Sequence, residues 1–169
     1  MPELTLRHEF DIDEDAYWSK CVFDPAFNKE LYVDELQFPN WSLLESKEDD
    51  AKIVRRVQVD PPVGNVPGPV KKVIGDRLSY IEEGTFDRKT KRYAFKVIPS
   101  TMADKTKVAG EMWVEKLGEK KIARVLKISV EVKVFMVGGM VEERILSDLR
   151  TSYDRGTTFT RRVIAERGL

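Results

Sequence analysis

The stretch from Ile122 to Ile164 constrains this chain more than any other. Ile122, Leu126, Ile128, Val130, Val132 and Val134 fall on one face of an alternating run, with Lys127, Ser129, Glu131 and Lys133 on the other. That period of two marks a half-buried antiparallel strand. Val137-Gly138-Gly139 ends it. Beyond the glycines, Val141, Ile145, Leu149, Tyr153, Gly156, Thr160 and Val163 recur every three or four residues, while Glu142, Arg144, Asp148, Arg150, Asp154 and Arg161 fill the opposite side. This spacing predicts an amphipathic helix of about 25 residues, roughly 38 Å long. One apolar sheet face followed by one apolar helix stripe implies that the two cover each other. A long helix across a curved sheet leaves room between them, and function is to be sought in that room.

The rest of the chain is mostly strand. Leu4, Leu6, His8, Phe10 and Ile12 alternate with polar residues, so the chain opens with a strand. Asp13 then offers an N-cap for a short helix over about 14–22, and Asp24-Pro25 a second cap for another through about residue 35. Strands are expected over 41–46, 51–59, 78–87, 92–98 and 108–117, joined by short turns. Between the second and third of these, Pro61, Pro62, Pro67 and Pro69 forbid sheet pairing, and Val70 to Ile74 reads as a helical turn stopped by Gly75. Short connections make the sheet antiparallel. The expectation is an α+β fold: about seven strands, two short helices after the first strand and one long C-terminal helix, in one domain over 1–169.

Composition excludes several classes. At 41% hydrophobic and 34% charged residues the chain is neither disordered nor membrane-spanning. No apolar run reaches the roughly 20 residues a bilayer demands, and Met-Pro-Glu-Leu-Thr does not open a signal peptide, so a cytoplasmic location is expected. One cysteine, Cys21, and one histidine, His8, cannot make a zinc site of the usual kind, and no metal or organic cofactor is implied. Residues 1–50 hold 14 acidic and 4 basic side chains, whereas 51–169 hold 15 and 25. Either the two ends attract each other across the fold, or a basic surface meets anionic lipid or an acidic partner in passing. Nucleic acid is not expected, because the basic residues are interspersed with acids and no binding motif accompanies them.

The order of elements, with His8-Glu9-Phe10 in the opening strand and Gly138-Gly139 before the last helix, resembles the START-like (SRPBCC) superfamily. Its helix-grip fold wraps a curved antiparallel sheet around a long C-terminal helix. Within it the chain is most similar to a poorly characterised bacterial family, through the glycine pair and Met140-Val141-Glu142-Glu143-Arg144-Ile145. A looser similarity to PRELI-type phospholipid carriers runs through His8-Glu9-Phe10, the Pro-rich segment into Val70–Gly75, and Tyr80-Ile81-Glu82-Glu83. The resemblance implies a space between sheet and helix that takes an apolar or amphipathic small molecule such as a lipid.

Strand registers aim Phe10, Val57, Tyr80, Phe95 and Met112 inward, with Ile128, Val130 and Val132 from the last strand, facing Tyr153, Gly156 and Phe159 on the helix. These residues would line a cavity or equally fill a core. Gly156, costing about 1 kcal/mol relative to Ala inside a helix, calls for compensation by the approach of an aromatic such as Phe95, or marks a thinned wall beside a ligand. Arg55 and Glu82 lie on otherwise apolar faces. They must pair with each other, escape through a bulge, or anchor a polar ligand group. For an enzyme, Glu82 with His8 is the one candidate acid–base pair; a hydrogen-bonded structural histidine is the plainer reading of His8. Three functions therefore stand open: a carrier of an apolar or amphipathic ligand gated by the Pro-rich loop, a cyclase- or hydratase-type enzyme, or a filled domain that docks other proteins.

Overall fold

The computed structural model describes residues 2–169. Strand β1 spans Glu3–Phe10. Helix α1 (Glu14–Tyr17) starts at Asp13, whose carboxylate accepts from Ala16 N, and continues as a wider π-helical turn over Trp18–Val22. Helix α2 (Pro25–Lys29) starts at Asp24, which accepts from Ala26 N, and likewise runs into a π-helical stretch over Glu30–Glu35. Then come β2 (Asn40–Glu48), β3 (Lys52–Asp60), α3 (Gly68–Ile74), β4 (Tyr80–Asp87), β5 (Arg92–Pro99), β6 (Thr106–Gly118), β7 (Lys121–Val132) and α4 (Gly138–Arg167). Both early caps and the strand order along the chain agree with the sequence reading.

All seven strands form one antiparallel sheet in the order β1-β7-β6-β5-β4-β3-β2. Strands β2 to β7 follow one another as neighbours, and β1 closes against β7 with Phe10 opposite Ile122. A bulge between Leu43 and Glu45 interrupts the outer strand β2. The sheet curves around α4, which lies across its concave face.

Two buried apolar clusters form on that face. The larger joins Phe10, Ile12, Ile122, Leu126 and Val130 to Phe159, Val163 and Ile164 of α4. The smaller gathers Leu36, Phe38, Trp41, Val57 and Val59 beneath the π-helical end of α2. Charge follows the same geometry: Glu30 and Glu35 of the acidic first third meet Arg167 and Arg162 of α4, and Lys91 reaches Asp15. The two oppositely charged parts of the chain thus pair across the fold.

Helix α4 is 30 residues long and begins at Gly138, so the glycine pair is its first turn rather than a break before it. A side chain on Gly138 would run into the carbonyl oxygen of Val132, whereas nothing lies within 4 Å of the corresponding position on Gly139. The helix start is thereby pressed against the strand end, and Glu142 Oε2 accepts from Val132 N at 2.8 Å to hold it there. Accordingly Gly138→Ala should cost about 1–3 kcal/mol in urea denaturation, as overpacking does. Gly139→Ala, at a helical position with open space, should instead be neutral or stabilising by up to about 1 kcal/mol.

Candidate ligand site

Between the two clusters lies a cavity of about 410 Å³, walled by the sheet, by α4 and by the π-helical ends of α1 and α2. Its existence follows from how α4 is held. Gly138 and Val141 are buried at one end and Gly156, Thr157, Phe159, Thr160, Val163 and Ile164 at the other, but no residue from 142 to 155 is fully buried. Ile145, Leu149, Ser152 and Tyr153 face the gap. Pro61 to Gly64 and the exposed Asp148 and Thr151 border its opening. There Arg144 Nη1 donates to the carbonyl of Asn65 at 2.8 Å and strapping the Pro-rich loop to α4 is the result. A broader depression of about 690 Å³ lies on the opposite side of β2 to β5 among charged side chains such as Lys47, Arg56, Glu83 and Lys96, and is open to solvent.

Of the residues expected inward, Arg55, Tyr80, Glu82 and Phe95 line the cavity, together with Met112, Ile128, Tyr153 and Gly156. Phe10, Val57, Val130, Val132 and Phe159 do not: they are buried in the two clusters and pack the core. The neighbour of Gly156 is Leu31, not Phe95; a Cβ would sit 3.4 Å from Leu31 Cδ1. The Phe95 ring instead covers Gly110 on β6, and the Tyr93 ring covers Gly84 on β4, in space that no side chain could share.

Arg55 and Glu82 do face inward, and they pair. Their charged groups are 3.5 Å apart. Tyr93 joins them: its hydroxyl donates to Glu82 Oε2 at 2.8 Å and accepts from Arg55 Nε at 3.1 Å. This bridge depends on Gly84, which lets the Tyr93 ring lie flat against β4. The third contact of Arg55, from Nη1 to the carbonyl of Val22 at 2.8 Å, caps the π-helical end of α1. Buried Asn28 donates to the carbonyls of Cys21 and Val22 beside it, so the helix end is satisfied without water. The guanidinium also stacks over Phe23 and Tyr93, 5.1 and 5.2 Å from their centroids.

The second buried arginine was not anticipated. Arg124 sits on β7 between Ile122 and Leu126 and is only 6% exposed. Its Nη1 donates to Tyr17 Oη at 3.2 Å and its Nη2 to Thr157 Oγ1 at 3.0 Å and His8 Nδ1 at 2.9 Å. Its Nε is buried with no partner. The rings of Phe10 and Tyr153 lie 5.1 and 5.0 Å from its guanidinium carbon. The sequence signal was a gap: the inward series of β7 skips from Ile122 to Leu126, and the position between them is a cation.

Because a guanidinium only donates, His8 Nδ1 must accept from Arg124, which leaves the proton on Nε2 to be donated to Asp154 Oδ1 at 3.0 Å. His8 is thus fixed as a neutral imidazole. Burial lowers its pKa and Arg124 lowers it further, against the opposing pull of Asp154. Glu82 belongs to the Arg55 network four strands away, so the suggested pairing of His8 with Glu82 does not form. Cys21 in the wall has its thiol pushed up to about 12, by burial first and by Asp24 second, and is unreactive.

Three tyrosines complete the polar lining. Tyr32, Tyr80 and Tyr153 are pushed up by burial, and the Glu82 carboxylate raises each further, so all three remain protonated donors. Among the described residues none of their hydroxyls has a hydrogen-bond partner in the protein. The cavity therefore presents apolar and aromatic walls, a neutralised Arg55–Glu82 pair, free phenol donors and one buried arginine without a carboxylate. Among the described residues no three His, Cys, Asp or Glu side chains gather to hold a metal ion, and no helix is long and apolar enough to cross a membrane.

A curved antiparallel sheet gripping a long C-terminal helix, with the cavity between them, defines a START-like fold, and solved structures agree. The chain is similar to the Zhui aromatase/cyclase from Streptomyces sp. R1128 (TM-score 0.67, 11% identity, 97% of this chain and 95% of that one covered). It is also similar to a START superfamily protein from Mycobacterium smegmatis (TM-score 0.62, 14% identity, 95% and 98% covered). A third likeness is to norcoclaurine synthase from Thalictrum flavum, solved in complex with dopamine and hydroxybenzaldehyde (TM-score 0.63, 15% identity, 94% and 86% covered). No curated protein matches the sequence. The chain belongs to the family described as "Protein of unknown function (DUF2505)", whose profile matches residues 5–164.

The His8 arrangement makes stability depend on pH. The folded state keeps His8 neutral below the ordinary imidazole pKa near 6.5, whereas the unfolded chain takes up the proton there. The contribution is therefore complete above about pH 6.5 and is lost as the pH falls below it toward the lowered folded value. Urea melts at steps from pH 8 to 5 should show wild type losing stability in this window more steeply than His8→Gln, which retains an acceptor and a donor but does not titrate.

Proposed function

We propose that this protein binds an amphipathic small organic molecule, of the size of a short lipid or a polycyclic aromatic, in the cavity between the sheet and α4. The observation that carries this reading is the pairing of an unfilled volume with unpartnered phenol donors. About 410 Å³ falls in the range of small-molecule pockets. An occupant would gain about 25 cal/mol for each Å² of apolar surface removed from water, while Tyr32, Tyr80 and Tyr153 orient its polar end. The strap from Arg144 to Asn65 makes the Pro-rich loop the gate. Neighbours on the same fold include a synthase solved with two aromatic molecules bound, which supports a ligand of this general kind.

Native mass spectrometry after gentle purification should reveal a co-purifying mass that denaturing spectra lack. Leu149→Trp, which fills the cavity from α4, should abolish that mass while leaving the melting temperature within a few degrees of wild type. Recovery of the same adduct from Leu149→Trp would place the ligand elsewhere. Brief contact with a membrane surface belongs to the same reading and is supported by Phe135 and Met136, which stand 91% and 84% exposed on the β7–α4 connection. Flotation with phosphatidylcholine–phosphatidylglycerol vesicles should fall when both are changed to Asp.

A cyclase-type reaction is the second reading. It is favoured by one arrangement, the Glu82 carboxylate held by Tyr93 at the wall of a cavity with free phenols, and by the aromatase/cyclase and synthase among the similar folds. Turnover of dopamine with hydroxybenzaldehyde, lost in Glu82→Gln, would favour it over simple binding.

A further inference from the structure

The two inward-facing arginines of the cavity, Arg55 and Arg124, differ in one respect. Arg55 has its carboxylate in Glu82, whereas Arg124 has none: among the described residues its hydrogen bonds go to two hydroxyls and a neutral imidazole. Of the five N–H groups of a guanidinium, three are used and the buried Nε–H is left without an acceptor. Asp154 is reached only through His8 and is itself 59% exposed at its side chain, so its charge is shared with water. Burying a charge with neither a counter-ion nor full hydrogen bonding is costly, and chains rarely do it without compensation.

From this we infer that Arg124 is an anion subsite, and that the ligand carries a single carboxylate on an apolar body, bound with the carboxylate innermost. This deepens the cavity-binding reading and rests on it. One negative charge is the number that balances the buried groups. Arg55 and Glu82 cancel, the tyrosines stay neutral, and toward solvent Arg144 is paired with Asp148 at 3.0 Å while Arg155, exposed and hydrated, donates to the carbonyl of Glu35. A phosphate dianion would find only one buried unmatched cation, whose Nε–H is itself shut off from the cavity. Orientation follows from position along α4: Arg124 is held by Thr157, thirteen residues and roughly 20 Å of helix beyond Arg144 at the opening. The carboxylate would meet Arg124 between the Phe10 and Tyr153 rings while the apolar body extends toward the Pro-rich loop. A fatty acid and an aromatic carboxylic acid share this chemistry, and the test separates them.

Isothermal titration calorimetry at pH 7.5 would compare dodecanoate with dodecanol and 2-naphthoate with 2-naphthylmethanol on wild type and on Arg124→Met. Wild type should bind at least one acid ten-fold or more tighter than its matched alcohol, and the pair that shows it names the body the cavity prefers. Arg124→Met should keep the alcohol affinity and lose the preference. Because it replaces an uncompensated charge with an apolar chain of similar length, it should melt no lower than wild type in the absence of ligand. Equal wild-type affinity for acid and alcohol would overturn the subsite while leaving the cavity reading intact. Binding of none of the four would overturn both. The wild-type comparison needs no variant, so an Arg124→Met protein that fails to fold contradicts only the expected melting behaviour and leaves the acid–alcohol difference to decide.

Discussion

Helix α4 is clamped at its two ends and free in its middle, and the rest of the architecture depends on that. At the N-terminal end the clamp is backbone against backbone, possible because Gly138 has no side chain to hold Val132 away. At the C-terminal end it is apolar, with Phe159, Val163 and Ile164 entering the larger cluster. Between the clamps the sheet curves away while the helix runs on. A straight rod across a concave surface touches only the rim, and the hollow beneath is a geometric consequence, not a packing fault.

What fills the wall of that hollow is a contrast between a satisfied and an unsatisfied charge. Arg55, Tyr93 and Glu82 form a closed unit that also caps α1 through Val22, so the same guanidinium ties the early helices to the sheet and neutralises the carboxylate. Its charges are matched within the protein. Arg124, on β7 and four strands from Arg55, is held by neutral groups alone, with the imidazole of His8 fixed in one tautomer to serve it. The two networks are built from the same residue type and differ in what they leave over.

The architecture was legible because it is written in periodicity. Alternation along β7, the three-to-four spacing along α4, and Asp13 and Asp24 before short helices are local signals, and the sheet order follows from short antiparallel turns. The cavity was legible only in part. Inward registers identified Tyr80, Glu82, Phe95 and Tyr153, but a register says which face a side chain takes and not how far the opposite wall stands. That is why Phe10, Val130 and Phe159, on the same faces, turned out to pack solidly. Tyr32 was hidden because its turn is π-helical, which shifts the face by an extra residue in a way that no 3.6-residue pattern reveals. Arg124 was hidden by the habit of reading a charge in a strand as an outward one.

The bulge in β2 bears on how the molecule behaves in company. As the outermost strand on one side of the sheet, β2 carries a row of backbone donors and acceptors that a foreign strand could copy. The irregularity between Leu43 and Glu45 breaks the even spacing of that row, and Glu45, Lys47 and Glu48 set charges along it just where Leu43 and Leu44 would otherwise invite association. The outer border of the sheet is thereby a poorer template for a second strand, its spacing broken by one extra residue.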